Sequence, residues 1–207
     1  MRGLILKDLY MAWKYCKAYL LILVGFLMMT AGGHGNSFFL IYPSILCGLV
    51  PMSVLAYDEL CNWHQYSLTL PYTRTQLVSA KYLVGLMCCI LVIVLTGLVL
   101  GIRMVAQKAF SWAEWGALTG TVFCCSFVGP ALSMPFLFKL GPEKGRIFYS
   151  ISIGIICAVA VILAMSLPEE GNAAVTGSVM PVACLVSVAF FAFSWWLSIR
   201  FYRKREF

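Results

Sequence analysis

Charged residues are scarce in this chain. Asp, Glu, Lys and Arg make up 11% of its 207 residues, whereas soluble proteins contain roughly 25%. Hydrophobic residues account for 62% of the chain, and the few polar side chains cannot cover the surface of a soluble domain. The composition therefore predicts a membrane protein.

Catalytic groups are also lacking. The chain has two histidines, His34 and His64, which the topology given below places on opposite sides of the membrane. Glu169 and Glu170 are adjacent, as in membrane-embedded proteases with a Glu-Glu-x-x-x-Arg motif, but Ala174 stands where that motif has arginine. Without a set of acid, base and metal-binding side chains, we expect no enzymatic reaction in this chain.

A phosphate-binding loop is missing as well. Such a loop has the spacing G-x-x-x-x-G-K-[ST], in which backbone amides and the lysine bind phosphate. The nearest cluster of glycine and lysine, from Gly141 to Arg146, lacks this spacing. Any ATP hydrolysis would have to occur in a separate subunit.

The nine cysteines do not indicate disulfides or a metal site. Most of them lie within predicted spans, where cysteine behaves as a small apolar residue: Cys47, Cys88, Cys89, Cys124, Cys125, Cys157 and Cys184. Cys61 and His64 have the spacing of half a zinc site, but no second pair completes the usual four ligands. We therefore expect no bound metal.

Six apolar segments approach or reach the length of about 20 residues that a membrane-spanning helix needs. They run roughly from Ala18 to Gly33, Ser37 to Tyr57, Leu83 to Ile102, Trp115 to Phe138, Ile147 to Leu167 and Val179 to Ile199. The first is short, but the sequence before it is not that of a cleaved signal peptide, so we expect it to be retained. The predicted fold is an all-α, polytopic membrane protein with one transmembrane domain, residues 1–207.

The basic residues predict the orientation, because loops rich in Lys and Arg stay in the cytoplasm. Only Arg103 and Lys108 are predicted on one side of the membrane. All the other basic residues are predicted on the opposite side: Arg2, Lys7, Lys14, Lys17, Arg74, Lys81, Lys139, Lys144, Arg146, Arg200, Arg203, Lys204 and Arg205. Both termini are therefore predicted to be cytoplasmic. The net charge of +7 lies at helix ends, where it contacts anionic lipid, and no nucleic-acid-binding module accompanies it.

The longest polar interruption is the predicted cytoplasmic loop of residues 58–81. Leu60, Trp63, Tyr66 and Leu70 recur every three or four residues, as on one side of a short amphipathic helix at the membrane surface. Pro71 ends this pattern. Thr73 and Gln76 then have the spacing of a capping box, which predicts the start of the next helix.

The N-terminal segment, residues 1–17, is predicted to be an interfacial helix that precedes the first span. Leu6, Leu9, Trp13 and Cys16 share one side of it, as expected for a helix in the headgroup region. At the other end of the chain, the loop of residues 168–178 is predicted to lie outside the membrane.

Several of these residues together resemble a known family. The chain contains Leu6-Lys7-Asp8-Leu9, then Asp58-Glu59, Trp63, Tyr66, Leu70-Pro71, Arg74 and Val78-Ser79-Ala80-Lys81-Tyr82. This series is similar to the N-terminus and first cytoplasmic loop of small ABC-2 type transporter permeases. Within that family, it resembles the permeases of bacterial exporters of amphipathic peptides such as phenol-soluble modulins.

The resemblance implies a transmembrane permease of an ATP-driven exporter in the cell membrane, with amphipathic peptides or another hydrophobic cargo. It implies a second permease chain, identical or homologous, and two copies of an ABC ATPase that would bind ATP and Mg; this chain itself would hold no cofactor. Its ATPase-coupling residues would be Asp58, Glu59, Leu60, Trp63, Tyr66, Leu70, Pro71, Arg74 and Lys81. Residues 168–178 occupy the place of short re-entrant helices in similar permeases.

Two other functions remain open from the sequence. An ion-coupled carrier usually has Asp, Glu, Lys or His inside a span, and the six predicted spans contain none of these residues. A membrane scaffold that transports nothing fits the same absence.

Overall fold

The computed structural model describes residues 2–15, 17–32, 37–61, 63, 73–108, 110–166 and 172–204. Most of these residues are helical, and no strand occurs among them. The helices are α1 (Arg2–Tyr15), α2 (Lys17–Ala31), α3 (Ser37–Cys47), α4 (Leu49–Leu60), α5 (Arg74–Ala106), α6 (Trp112–Leu140), α7 (Pro142–Ser166) and α8 (Asn172–Lys204). The all-α prediction is confirmed.

Four segments are long and apolar enough to cross a membrane: Phe39–Leu60, Thr75–Ala106, Trp112–Lys139 and Met180–Tyr202. They contain the predicted third and fourth spans and cover nearly all of the predicted second and sixth spans. The first predicted span lies on α2, which has only 15 residues and meets α1 at an angle of 66°. If this bent pair counts as one broken span, the described residues supply five candidates where the sequence predicts six.

The helices extend beyond the predicted spans and shorten the predicted loop of residues 58–81. Asp58 and Glu59 belong to the end of α4, and Lys81 belongs to α5, which begins at Arg74. The predicted capping box is confirmed: the Gln76 amide donates to Thr73 Oγ1 at 3.4 Å, and the Thr73 amide donates to Gln76 Oε1 at 3.2 Å. Because this cap starts α5 early, residues expected on a loop lie within packed helices.

The prolines of α6 are accommodated by side chains of neighbouring helices. Proline has no amide hydrogen, so it leaves the carbonyl four residues earlier without its helical donor. Pro130 frees the Ser126 carbonyl, which accepts from the Cys89 thiol at 3.1 Å. Pro135 frees the Ala131 carbonyl, which accepts from Ser194 Oγ at 2.7 Å. These bonds attach α6 to α5 and α8.

Helices α3 and α4 meet at Gly48, where three chain segments approach closely. A Cβ atom at Gly48 would overlap the hydroxyl of Tyr149 and lie 3.1 Å from the carbonyl carbon of Gly129. The Tyr149 hydroxyl donates to the Ile45 carbonyl at 2.8 Å. Glycine at position 48 thus allows α6 and α7 to pack against the second span.

The predicted outer loop overlaps the start of α8. Residues 168–171 lie outside the described part of the chain, and α8 begins at Asn172.

Candidate functional site

A buried group of four charged side chains, called here the charge cluster, joins three helices. Lys7 and Asp8 belong to α1, Asp58 to the end of α4, and Lys81 to the start of α5. Lys7 Nζ lies 2.8 Å from Asp58 Oδ1 and 3.2 Å from Asp8 Oδ1. Lys81 Nζ lies 2.7 Å from Asp8 Oδ1 and also contacts Asp58 Oδ2. Each lysine therefore bridges both aspartates, and the four charges balance.

The charge cluster is shielded from solvent. The side chains of Asp8 and Asp58 are 0% exposed, that of Lys81 is 9% exposed and that of Lys7 is 23% exposed. Removing one partner of a buried ion pair leaves an uncompensated charge, which costs about 3–5 kcal/mol. The cluster therefore fixes the three helices in one arrangement, although its net contribution to stability is small once desolvation is included.

Apolar and aromatic side chains enclose the charge cluster. Lys7 Nζ lies 3.8 Å from the centre of the Trp63 ring, within the range of a cation–π interaction. A cavity of about 20 Å³ adjoins Asp8 and Asp58 and is bounded by Trp63, Leu77 and other apolar residues. Asp8 Oδ2 is buried beside it and has no hydrogen-bond partner in the described part of the chain.

A hydrogen-bonded network begins at the residue after Lys81. The hydroxyl of Tyr82 lies 2.6 Å from Ser198 Oγ and 2.9 Å from Ser194 Oγ, and the ring of Tyr82 stacks on Trp195 with centroids 5.6 Å apart. Ser194 continues the network to the Ala131 carbonyl at 2.7 Å. Adjacent residues of α5 thus attach it to α1 and α4 on one side and to α6 and α8 on the other.

The predicted coupling residues separate into different environments. Asp58 and Lys81 lie inside the charge cluster, and Trp63 packs on it, so these side chains hold helices together within the chain. Leu60 is 77% exposed. Glu59 lies next to Gly141, where an added Cβ would be 3.6 Å from Glu59 Oε1.

Several other residues of the predicted site lie partly or wholly outside the described part of the chain. Tyr66, Leu70 and Pro71 lie outside the described residues, as does His64 of the half zinc motif. Arg74 begins α5, and its side chain is outside the described part of the structure. Cys61 carries an exposed free thiol.

Sequence reasoning missed Lys7, Asp8, Tyr82, Ser194 and Ser198 as site residues. The spacing of residues in a sequence identifies only those that share one side of the same helix. Lys81 and Asp8 are 73 positions apart and lie on different helices, so spacing could not pair them. The available signal is the resemblance itself, because three of the segments that carry it are Leu6-Lys7-Asp8-Leu9, Asp58-Glu59 and the pair Lys81-Tyr82. The structure brings residues from all three together.

A family model described as "ABC-2 family transporter protein" matches residues 3–203. The chain belongs to the ABC-2 transporter family. It is therefore a transmembrane permease, a multi-pass membrane component that is normally non-catalytic and works with an ABC ATPase. A comparison with curated proteins gives no match.

The family match covers almost the whole permease, including all four residues of the charge cluster. The cluster joins the end of the second span to the start of the third, and the chain between those points is the predicted coupling segment. The N-terminal helix is attached at the same place. The two helices that flank this segment are therefore attached to the N-terminal helix through buried ion pairs.

Proposed function

We propose that the permease is the membrane half of an ATP-driven exporter, with six spans and both termini in the cytoplasm. Two permease chains, identical or homologous, would form the path through the cell membrane, and two ATPase copies would bind ATP and Mg beneath them. The charge cluster is the observation that carries this proposal. It provides a rigid attachment between the segment predicted to contact the ATPase and the helices that must move.

The predicted coupling residues take two roles in this proposal. Asp58 and Lys81 position the ends of α4 and α5, and Trp63 covers the cluster. Leu60, which is highly exposed, supplies apolar contact to the ATPase together with Tyr66 and Leu70. Closure of the ATPase would then displace α4 and α5 together because the buried ions oppose their separation.

The proposed cargo is an amphipathic peptide or another hydrophobic molecule. Its support is the resemblance of the N-terminal 82 residues to permeases of peptide exporters.

An ion-coupled carrier is the second candidate, and one observation favours it. The candidate spans Phe39–Leu60 and Thr75–Ala106 contain Asp58 and Lys81, whereas the shorter predicted spans contained no such group. Buried ionisable side chains in spans often bind ions or carry protons. The ATP-driven proposal remains preferred because both lysines and both aspartates are paired with each other and lie at the ends of their spans.

Co-purification with the ATPase tests the proposed function. Leu60→Ala and Tyr66→Ala should each reduce the ATPase recovered with the tagged permease by about fivefold or more, since truncating an interface anchor costs roughly 1–2 kcal/mol. Leu98→Ala is the control, because Leu98 is also exposed, at 58%, but lies in the C-terminal half of α5, far from the predicted coupling segment. Unchanged recovery with both test variants would contradict the proposal.

A further inference from the structure

A deep apolar groove opens on the side of the molecule beside the bend between α1 and α2. Its volume is about 550 Å³, and its walls come from α1, α2, the second span and α5. Tyr10, Trp13, Leu23, Leu46, Met87 and Leu91 are among its lining residues, and none of the described residues that line it is charged. Concave sites of this size and composition bind apolar ligands.

The bend between α1 and α2, beside the groove, has a different composition. Trp13 and Tyr19, on the two sides of the bend, line the groove, and Lys14 and Lys17 lie between them in the sequence. Both lysines are exposed, and neither forms an ion pair with another described residue. Aromatic side chains with amphipathic rings and cationic side chains mark the level of lipid headgroups.

We propose that this groove binds one acyl chain of an anionic phospholipid, with the headgroup held by Lys14 and Lys17. The acyl chain would come from the leaflet on the side of the N-terminus, because the charge cluster and α1, which the sequence predicts to be interfacial, lie at that end of the helices. The lysines provide charge complementarity to the phosphate, and the uncharged lining accepts the hydrocarbon.

An amphipathic peptide fits this groove less well. Such a peptide has a polar face, and the charge-free walls offer few partners for polar side chains, which are costly to bury without hydrogen bonds. A lipid places its polar part at one end only. The inference is independent of ATP-driven transport, because it concerns a lipid held by the permease itself.

The test uses the full-length permease in nanodiscs that contain phosphatidylglycerol or phosphatidylcholine with a photoreactive diazirine on the acyl chain. After irradiation, the labelled residues are located by mass spectrometry. Phosphatidylglycerol should label Tyr10, Trp13, Met87 or Leu91 preferentially. Leu91→Trp should reduce this labelling at least fivefold by filling the groove, whereas Leu98→Trp, a control at another exposed leucine of α5, should not change it.

Headgroup selectivity is tested separately. Lys14→Gln combined with Lys17→Gln should weaken phosphatidylglycerol labelling about thirtyfold relative to phosphatidylcholine, since each of the two lysines near an anionic headgroup contributes roughly 1 kcal/mol. Lys108→Gln is the control. Met87→Trp replaces Leu91→Trp if that variant is recovered unfolded.

The lipid experiments would overturn the proposal if labelling were uniform over the exposed helices, if it were unchanged in the groove-filling variants, or if the two lipids labelled the groove equally. Displacement of phosphatidylglycerol by a synthetic amphipathic helical peptide, with crosslinks from that peptide to Trp13 or Leu91, would likewise overturn it and assign the groove to peptide.

Discussion

Lys81 and Asp8 are 73 positions apart in the sequence, yet Lys81 Nζ lies 2.7 Å from Asp8 Oδ1 in a buried ion pair. The pair joins the N-terminal helix to α5, the helix that contains the predicted third span. Asp58 and Lys7 complete a group with no net charge, which makes the pair tolerable away from water.

Removing one charge from the cluster should destabilise the permease strongly. Lys81→Met leaves two aspartates facing Lys7 alone, and we expect a loss of about 3–5 kcal/mol in unfolding free energy. Adding Asp8→Asn leaves Lys7 paired with Asp58, so the double variant should recover part of that loss. Unfolding in detergent measures both effects, with exposed Glu114→Gln as the control. Equal stability of Lys81→Met and the unmodified permease would refute the role given to the cluster.

The hydroxyl of Ser194 should matter more than that of Ser187, although both serines are buried on α8. Ser194→Ala removes the hydroxyl that donates to the Ala131 carbonyl in place of the amide hydrogen that Pro135 lacks. It also removes one hydrogen-bond partner of Tyr82, and we expect a loss of about 1–3 kcal/mol in unfolding free energy. Ser187→Ala removes a bond to the Cys184 carbonyl of its own helix and should cost less. Equal losses in the same unfolding assay would argue against this bridging role.

Gly48→Ala should loosen the contact between the second span and α7. The new methyl group would overlap the Tyr149 hydroxyl, and overpacking of this kind costs about 1–3 kcal/mol. Tyr149→Phe in the same chain should relieve part of the strain. As a control, Gly154→Ala places a methyl group with nothing within 4 Å and should be neutral or stabilising, because alanine favours helix over glycine. A well-tolerated Gly48→Ala would show that the helices do not approach this closely.

The predicted orientation can be measured by labelling single cysteines. In a version without native cysteines, a cysteine at Asn172 should react with an impermeant reagent from outside, and one at Lys144 only after permeabilisation. Cys89 should be replaced by Ser, because a hydroxyl can retain the bond to the Ser126 carbonyl. The reverse labelling pattern would invert the topology and place the coupling segment on the wrong side for an ATPase.

Local features of the fold were readable from the sequence, whereas long-range features were not. The spacing of Thr73 and Gln76 correctly predicted the start of α5, because capping depends on residues three positions apart. The hydropathy of the sequence correctly located four spans. It placed the end of the second span before Asp58 and the start of the third after Lys81, because a charged residue lowers the hydropathy and is taken as the end of a span. These charges lie inside helices because Lys7 and Asp8 of a distant segment neutralise them.

The candidate site shows the same division. The resemblance selected Asp58, Trp63 and Lys81, and the structure places all three in or against the charge cluster. The resemblance could not distinguish residues that hold the permease together from residues that are exposed and available to a partner, such as Leu60. Burial makes this distinction, and burial depends on the packing of α1 and α8.

The most direct measurement of the central claim is cargo transport in liposomes that contain the permease and its partner ATPase. Transport of an amphipathic peptide should require hydrolysable ATP, continue after ionophores collapse the ion gradients, and stop when the ATPase loses its phosphate-loop lysine. Lys81→Met with Asp8→Asn, if folded, should retain ATP hydrolysis but transport less cargo per ATP. Transport by the permease alone, driven by an imposed proton gradient, would contradict the account and identify the charge cluster as part of an ion-coupled carrier.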